Sequence, residues 1–304
     1  MKKALALILT ASLLTGVLTA CGSSEAQTDA AETTTEEAAA EETAAAEETA
    51  DTDAQAETGD LQVITVAATA VPHAEILEAA KPILAEQGYD LQVTVFDDYV
   101  QPNEVVEAGD IDCNYFQHIP YLNSYNEERG THLVSVGEIH YEPIGIYAGT
   151  ESDLSNISDG ADIAIPNDTT NEARALLILQ DNGIITLKED AGIDATINDI
   201  AENPHNINFV EMEAAQVSKV LSEVAFAVIN GNYALDAGLN AQTDALASET
   251  SDSLAAQTYV NVVVVKEGNE DNEGVKALVD VLKSDDIKKF IEETYEGAVV
   301  PFEG

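Results

Sequence analysis

The sequence predicts an α/β protein of two lobes joined by more than one chain crossing, with a hinge and a ligand cleft between them. Short apolar β-type runs alternate with helical periodicity in two successive sets, one opening at Val63 and the other at Ala161. A late apolar run, Tyr259 to Val265, is followed by helical patterns at Val275 to Leu282 and Ile287 to Tyr295, so the chain returns to its first set after finishing the second. The length of 304 residues and 45% hydrophobic content suffice for two cores. Lobe 1 is expected at 61–150 plus 255–304 and lobe 2 at 151–254, the geometry of a hinged cleft.

Two segments precede the lobes. Met1 to Ala20 has Lys2 and Lys3, an apolar stretch from Ala4 to Leu18 and then small residues, which is secretory signal patterning. Leu18-Thr19-Ala20-Cys21 resembles a bacterial lipobox, in which Cys21 receives a diacylglyceryl group; the alternative is an ordinary signal peptide with an incidental Cys. Two or three acyl chains would hold the protein on the outer face of a membrane, which one chain does only marginally. Gly22 to Asp60 is Ala, Glu, Thr and Asp with no basic or aromatic residue, and reads as a disordered acidic tether. Such a chain spans about 35 Å or more.

The first set begins with the strand Val63 to Ala68. Ile76, Leu77, Ala80, Ile83 and Leu84 then recur at helical spacing up to Gly88, and Leu91 to Phe96 is a second strand. In open α/β sheets the loops at strand ends face the ligand crevice, which makes Tyr99, in the loop after this strand, a candidate site residue. Val105 to Ala108 continues as helix and stops before Gly109. The segment Ile111 to Leu122 is the densest aromatic and imidazole cluster in the chain; Phe116, His118 and Tyr121 at a strand-to-helix junction read as a pocket wall. Val134 to Ile139 and Gly145 to Ala148 are further strands.

The second set opens with the buried strand Ala161 to Ile165. Thr169 followed by Glu172 predicts a capping box, with a helix from about Thr170 to Asn182-Gly183. Asn171 and Arg174 are then neighbours in the first turns of that helix, near its partly positive end, a setting suited to a carboxylate. Arg129 and Arg174 are the only arginines in the sequence. From residue pattern alone Arg174 fits equally a ligand carboxylate or one of the many surface acids. Ile184 to Leu187, Ile207 to Val210 and Val224 to Ile229 are strands, with a helix near Ala215 to Leu221.

Charge and motif content restrict the chemistry. Twelve Lys and Arg against 57 Asp and Glu give a formal charge of -45, which repels nucleic acid and anionic membrane surfaces. His73, His118, His132, His140 and His205 contain no i, i+4 pair, and there is no Cys-x-x-Cys, so a metal site could arise only through the fold. No Gly-x-Ser-x-Gly elbow or phosphate-cradling Gly loop is present, and Cys113 reads as a small buried residue. Neither enzyme activity nor a cofactor is expected.

The lipobox, ATAVPHAEIL at 68–77, FDDYVQPNE at 96–104, GDIDCNYFQHIPYL at 109–122, EPIGIYA at 142–148, the 165–179 segment, ENPHNI at 202–207, AFAVINGNYA at 225–234 and YVNVVVV at 259–265 together resemble the methionine-binding lipoproteins of ABC importers, the NlpA family. The resemblance implies a two-lobed, periplasmic-binding-protein-like (type II) fold on the extracytoplasmic face of the cell membrane, lipid-anchored at Cys21. It further implies capture of methionine, as the L- or D-form or within a dipeptide, and delivery to a permease with its ATPase. By the same resemblance Tyr99, Phe116, His118 and Tyr121 wrap the thioether, Asn171 and Arg174 take the carboxylate, Asn230 and Asn261 bind the amino and carboxyl ends, and Tyr233 is a further wall. A polarizable sulfur suits aromatic rings, and a buried zwitterion needs both charges met. The family often has Pro where this chain has Thr169 and Gly where it has Ala173, and the acidic tether here is unusually long. A receptor for another small amino acid, or a metal-binding surface lipoprotein, is the alternative.

Overall fold

The first sheet is built outward from a βαβ unit whose first strand is apolar and buried over its second half and whose second strand forms the sheet edge. In the computed structural model, β1 (Gln62–Ala68) runs parallel to β2 (Tyr89–Val95) on one side and β3 (Cys113–His118) on the other. The crossover helix α1 (Glu75–Glu86) buries Ile76, Leu77, Ala80 and Leu84, the positions its periodicity assigns to the inner face. A second crossover, α2 (Gln101–Ala108), ends at Gly109, whose φ of 80° is the left-handed conformation glycine adopts at a helix C-terminus.

Structure is described for residues 61–250 and 257–304, all within one compact unit spanning 56–304. The signal sequence, Cys21 and the acidic tether lie outside the described residues. Among the described residues no helix is long and apolar enough to cross a membrane.

After α3 (Ile119–Arg129) the chain adds β4 (Leu133–Tyr141) and then leaves the first sheet. The second sheet has the order β11-β5-β10-β6-β9, formed by β5 (Gly145–Ala148), β6 (Asp162–Pro166), β9 (Asn208–Met212), β10 (Phe226–Ile229) and β11 (Ala245–Ser248). β7 (Thr186–Leu187) and β8 (Ile200–Glu202) form a separate pair. The chain then returns as β12 (Val260–Lys266), which lies antiparallel between β3 and β4, and β13 (Val300–Pro301) completes the six-stranded order β13-β4-β12-β3-β1-β2. Two helices that follow β12, Glu273–Leu282 and Asp285–Tyr295, pack Val275, Leu278, Ile287 and Ile291 into the core under the first sheet. The result is the two-lobed α/β fold that the alternation of strand and helix patterns predicts.

Two local expectations are corrected. Gly145 to Ala148, assigned from sequence to the first lobe, pairs instead with β10 and β11, so the chain changes sheets at 142–144 rather than at 150. The helix α4 (Thr169–Asp181) is capped one residue earlier than expected. Asp168, not Thr169, is the N-cap: its Oδ1 accepts from the Asn171 amide at 3.1 Å. The Thr169 hydroxyl donates to Glu128, and Glu172 accepts from the Ile197 amide instead of closing a capping box. A carboxylate outcompetes a hydroxyl for the helix's unpaired amides.

Sheet direction fixes where side chains converge. Tyr99, Asp168 and Asn230 each follow the carboxyl end of a strand, β2, β6 and β10 respectively, and His118 is the last residue of β3. Because β12 runs antiparallel to β3 and β4, its first residues, Val260 and Asn261, sit opposite Tyr141, His140 and His118. Both sheets therefore present their ligand-facing ends to one place.

Candidate functional site

The residues gathered there enclose a buried cavity of about 20 Å³, lined by Tyr99, Phe116, Gln117, His118, Tyr121, Glu142, Asn171, Arg174, Asn230, Gly231, Asn232 and Asn261. That is room for about one water molecule. A neighbouring cavity of about 320 Å³ shares the Tyr99 and Tyr121 wall and includes Asp168 and Tyr233.

The aromatic wall is a cluster of tilted and edge-on rings drawn from both halves. Tyr99 lies 5.0 Å from Tyr233, 5.6 Å from Tyr121 and 5.8 Å from Phe116, centroid to centroid. Polar tips fix the rings: the Tyr99 hydroxyl donates to Asn232 Oδ1 at 2.6 Å, that of Tyr121 to the Tyr99 carbonyl at 3.0 Å, and that of Tyr233 to the Asp97 carbonyl at 3.1 Å. Beneath the wall Asn103, Asn114 and Gln117 satisfy one another's amides, so Gln117 reaches the cavity from a closed network.

His118 is a neutral imidazole that carries its proton on Nε2. Its Nδ1 accepts from the Tyr121 amide at 3.1 Å, leaving Nε2–H to donate to Asn171 Oδ1 at 3.1 Å. Burial lowers its pKa from 6.5 to about 3, and the positive Arg174 pushes in the same direction. Asn230 Nδ2 donates to the same Asn171 oxygen at 2.8 Å. Asn171 Nδ2 in turn donates to Asp168, whose carboxyl burial pushes up to about 6.

Arg174 is 3% exposed and already holds a carboxylate. Nε donates to Glu249 Oε1 at 2.9 Å, while Nη2 donates to Glu249 Oε2 at 2.5 Å and to the Glu142 carbonyl at 2.8 Å. The guanidinium lies 4.3 Å from the Tyr259 ring centroid and 5.6 Å from that of Tyr141. Burial works against an ionised Glu249, but the guanidinium outweighs it and holds the carboxyl below its usual range.

Glu142 is a further buried acid. Its Oε1 lies 2.7 Å from His140 Nε2 and 3.3 Å from His73 Nε2. Burial pushes its carboxyl up, with His73 and Arg174 pulling the other way. His73 and His140 are held neutral by burial, at about 4 and about 3. Their remaining nitrogens meet the Thr69 and Tyr115 hydroxyls. The donor atoms of His73, His140 and Glu142 lie within 4.8 Å of one another, the spacing of a metal site, but here they are linked to each other through Glu142 Oε1.

Among the described residues three buried side-chain polar atoms have no hydrogen-bond partner: the hydroxyls of Tyr147 and Tyr259, and Asn230 Oδ1. Asn230 lines the cavity. Its oxygen and the Glu142 carboxylate share the cavity lining, so the cavity offers an open acceptor and a negative charge, the complement of an ammonium group.

The NlpA lipoprotein family model matches residues 64–303. The chain belongs to the NlpA lipoprotein family. It is 67% identical to a lipoprotein of Ruminococcus gnavus of known crystal structure, with a TM-score of 0.79 over 80% of this chain and 100% of that one. It is 41% identical to the methionine-binding lipoprotein MetQ of Bacillus subtilis (strain 168), over 81% of this chain and 90% of that protein. A nutrient-binding protein of Burkholderia cenocepacia, solved bound to methionine, is 41% identical with a TM-score of 0.74, over 78% of this chain and 99% of that one. NlpA proteins of this kind are substrate-binding components of importers and not enzymes.

Of the residues singled out from sequence in this NlpA chain, Tyr99, Phe116, His118, Tyr121, Asn171, Arg174, Asn230 and Asn261 line one cavity. Tyr233 lies behind Tyr99 and lines the neighbouring space instead. Sequence reasoning missed Gln117, Glu142, Gly231, Asn232 and Glu249. Glu142 stood inside a quoted motif, beside Pro143, and was the one acid there. Glu249 sits in the polar stretch from Asn240 to Gln257, where no local pattern separates it from its acidic neighbours.

Proposed function

We propose that this chain is a lipid-anchored extracytoplasmic receptor that closes on methionine and delivers it to an ABC permease driven by its ATPase. The signal patterning and Cys21 support the anchor, and the MetQ relative supports the role in methionine uptake. The ligand's thioether goes to Tyr99, Phe116, Tyr121 and His118. Its ammonium goes to Glu142 and Asn230, and its carboxylate to the Arg174 end of the cavity with Asn171 and Asn261. The observation that carries this assignment is the unpartnered Asn230 Oδ1, buried in a cavity lined by Glu142 and by the rings of Tyr99, Phe116 and Tyr121. For L-methionine to enter, the 20 Å³ space has to widen by separation of those walls.

Titration calorimetry tests the reading. L-methionine is expected to bind with measurable heat, and Arg174→Ala and Asn230→Ala to lose it. Heat from another amino acid, with none from methionine, keeps the receptor and replaces its ligand. Mass spectrometry of the membrane fraction tests the anchor: Cys21→Ser is expected to abolish acylation.

A further inference from the structure

The guanidinium assigned to the ligand is largely committed before any ligand arrives. Glu249 occupies the Nε and Nη2 fork with both oxygens, and the second proton of Nη2 goes to the Glu142 carbonyl. An incoming carboxylate is left with Nη1 at most, and a single nitrogen cannot give the bidentate contact that makes Arg a strong carboxylate receptor. The charge is answered as well: the pair sits at 4% and 11% side-chain exposure, so little solvent screens Glu249 from Arg174. In the same lining, Asn230 Oδ1 is a buried acceptor with no partner, and the Glu142 carboxylate, already bonded to His140, adds negative potential, while Arg174 is the one permanently charged basic side chain of the cavity.

We propose that Glu249 sets the selectivity of this cleft: by holding Arg174, it makes the free amine, rather than the carboxylate, the group a ligand must carry. The inference rests on the methionine reading above for the identity of the side chain, but not for the order of the two ends. Amino-acid amides and carboxyl-extended compounds are then accepted, since a carbonyl oxygen can use one Arg nitrogen as well as a carboxylate can. Amine-lacking acids are excluded, because they leave Asn230 Oδ1 facing no donor and bring a negative charge beside Glu142 and to a pair that is already neutral. Glu249 acts through Arg174 and is a positioning residue.

Two truncated probes separate the ends without adding bulk: 3-(methylthio)propylamine, which lacks the carboxylate, and 4-(methylthio)butanoate, which lacks the amine. With the full-length lipoprotein in detergent micelles, competition against L-methionine is expected to favour the amine by at least tenfold. Glu249→Gln keeps the shape but removes the charge, and is expected to shift that ratio toward the acid by tenfold or more. Glu249→Asp, which keeps the charge, is expected to retain the amine preference. Thermal unfolding of each variant separates selectivity from folding, and Glu249→Ala serves should Glu249→Gln unfold. A wild-type preference for the acid, or a ratio unmoved by loss of the Glu249 charge in a folded variant, overturns the proposal. Failure of methionine itself to bind overturns the functional reading instead; the amine and acid forms of the amino acid that does bind then decide the role of Glu249.

Discussion

His118 and Asn171 meet across the two sheets, the imidazole Nε2 lying 3.1 Å from the carboxamide oxygen. One ends β3 and the other stands in the first turn of α4, so the contact exists only when both lobes present their ligand-facing ends together. Asn171→Ala removes the acceptor shared by His118 and Asn230. The loss of a buried partner for two donors is expected to cost about 1–3 kcal/mol. Urea unfolding measures that cost, and calorimetry is expected to show ligand affinity lowered at least tenfold. Unchanged affinity would separate Asn171 from the site.

Arg174→Ala is expected to be among the most destabilising single changes in the chain, because it leaves Glu249 buried and unpaired, at a cost of about 3–5 kcal/mol. Arg174→Lys keeps a charge but not the fork, and is expected to fall between the two. Urea midpoints of the three proteins rank them. Equal midpoints would mean that Glu249 finds water when its partner is removed.

Gly231 begins the short helix Gly231–Asp236, where a Cβ would stand 2.7 Å from Glu142 Cβ and 3.0 Å from its Oε2. No flexible chain end is available to yield on the Cβ side. Gly231→Ala is expected to cost about 1–3 kcal/mol through overpacking, and to weaken ligand affinity by displacing Glu142. A crystal structure of the variant with Glu142 unmoved would refute the second part.

Stability is expected to fall with acid. Burial holds His73 at about 4 and His118 and His140 at about 3, against 6.5 for an ordinary histidine. Between those values the unfolded chain binds more protons than the folded one, so the stabilisation is complete above pH 6.5 and is lost as pH drops toward 3 to 4. Each histidine contributes at most about 1.4 kcal/mol per pH unit. Glu142, with its carboxyl raised, works in the opposite sense just above its ordinary value of 4.5. Urea midpoints at pH 7.5 and pH 5 measure the slope, and His140→Gln is expected to flatten it. A midpoint that does not move between those pH values contradicts the neutral assignment.

The strand and helix order was legible because each element carries its own period, from the inner face of α1 to the Gly109 stop of α2. The aromatic side of the site was legible for the same local reason: Phe116, His118 and Tyr121 span a junction that the pattern itself marks. What stayed hidden is what depends on distant partners. The short apolar run Gly145 to Ala148 says strand without saying which sheet, since only β10 and β11 decide that. Thr169 and Asp168 are both good caps, and the carboxylate took the amide once the Thr169 hydroxyl had a distant partner in Glu128. The partner of Arg174 lies 75 residues away in a stretch crowded with acids.

The chain passes between its sheets after Tyr141 and again after Ser248, and Glu249 stands at the start of the second passage. Its carboxylate also accepts from the Tyr141 hydroxyl at 2.6 Å and from the Ile144 amide at 3.0 Å, on either side of the first. Pivot and counter-ion are thus one side chain. Of its partners only Tyr141 belongs to the first sheet, so swinging one half of the molecule away from the other is expected to pull on that hydroxyl while the guanidinium moves with Glu249, which gives a residue outside the cavity lining leverage over how easily the halves part.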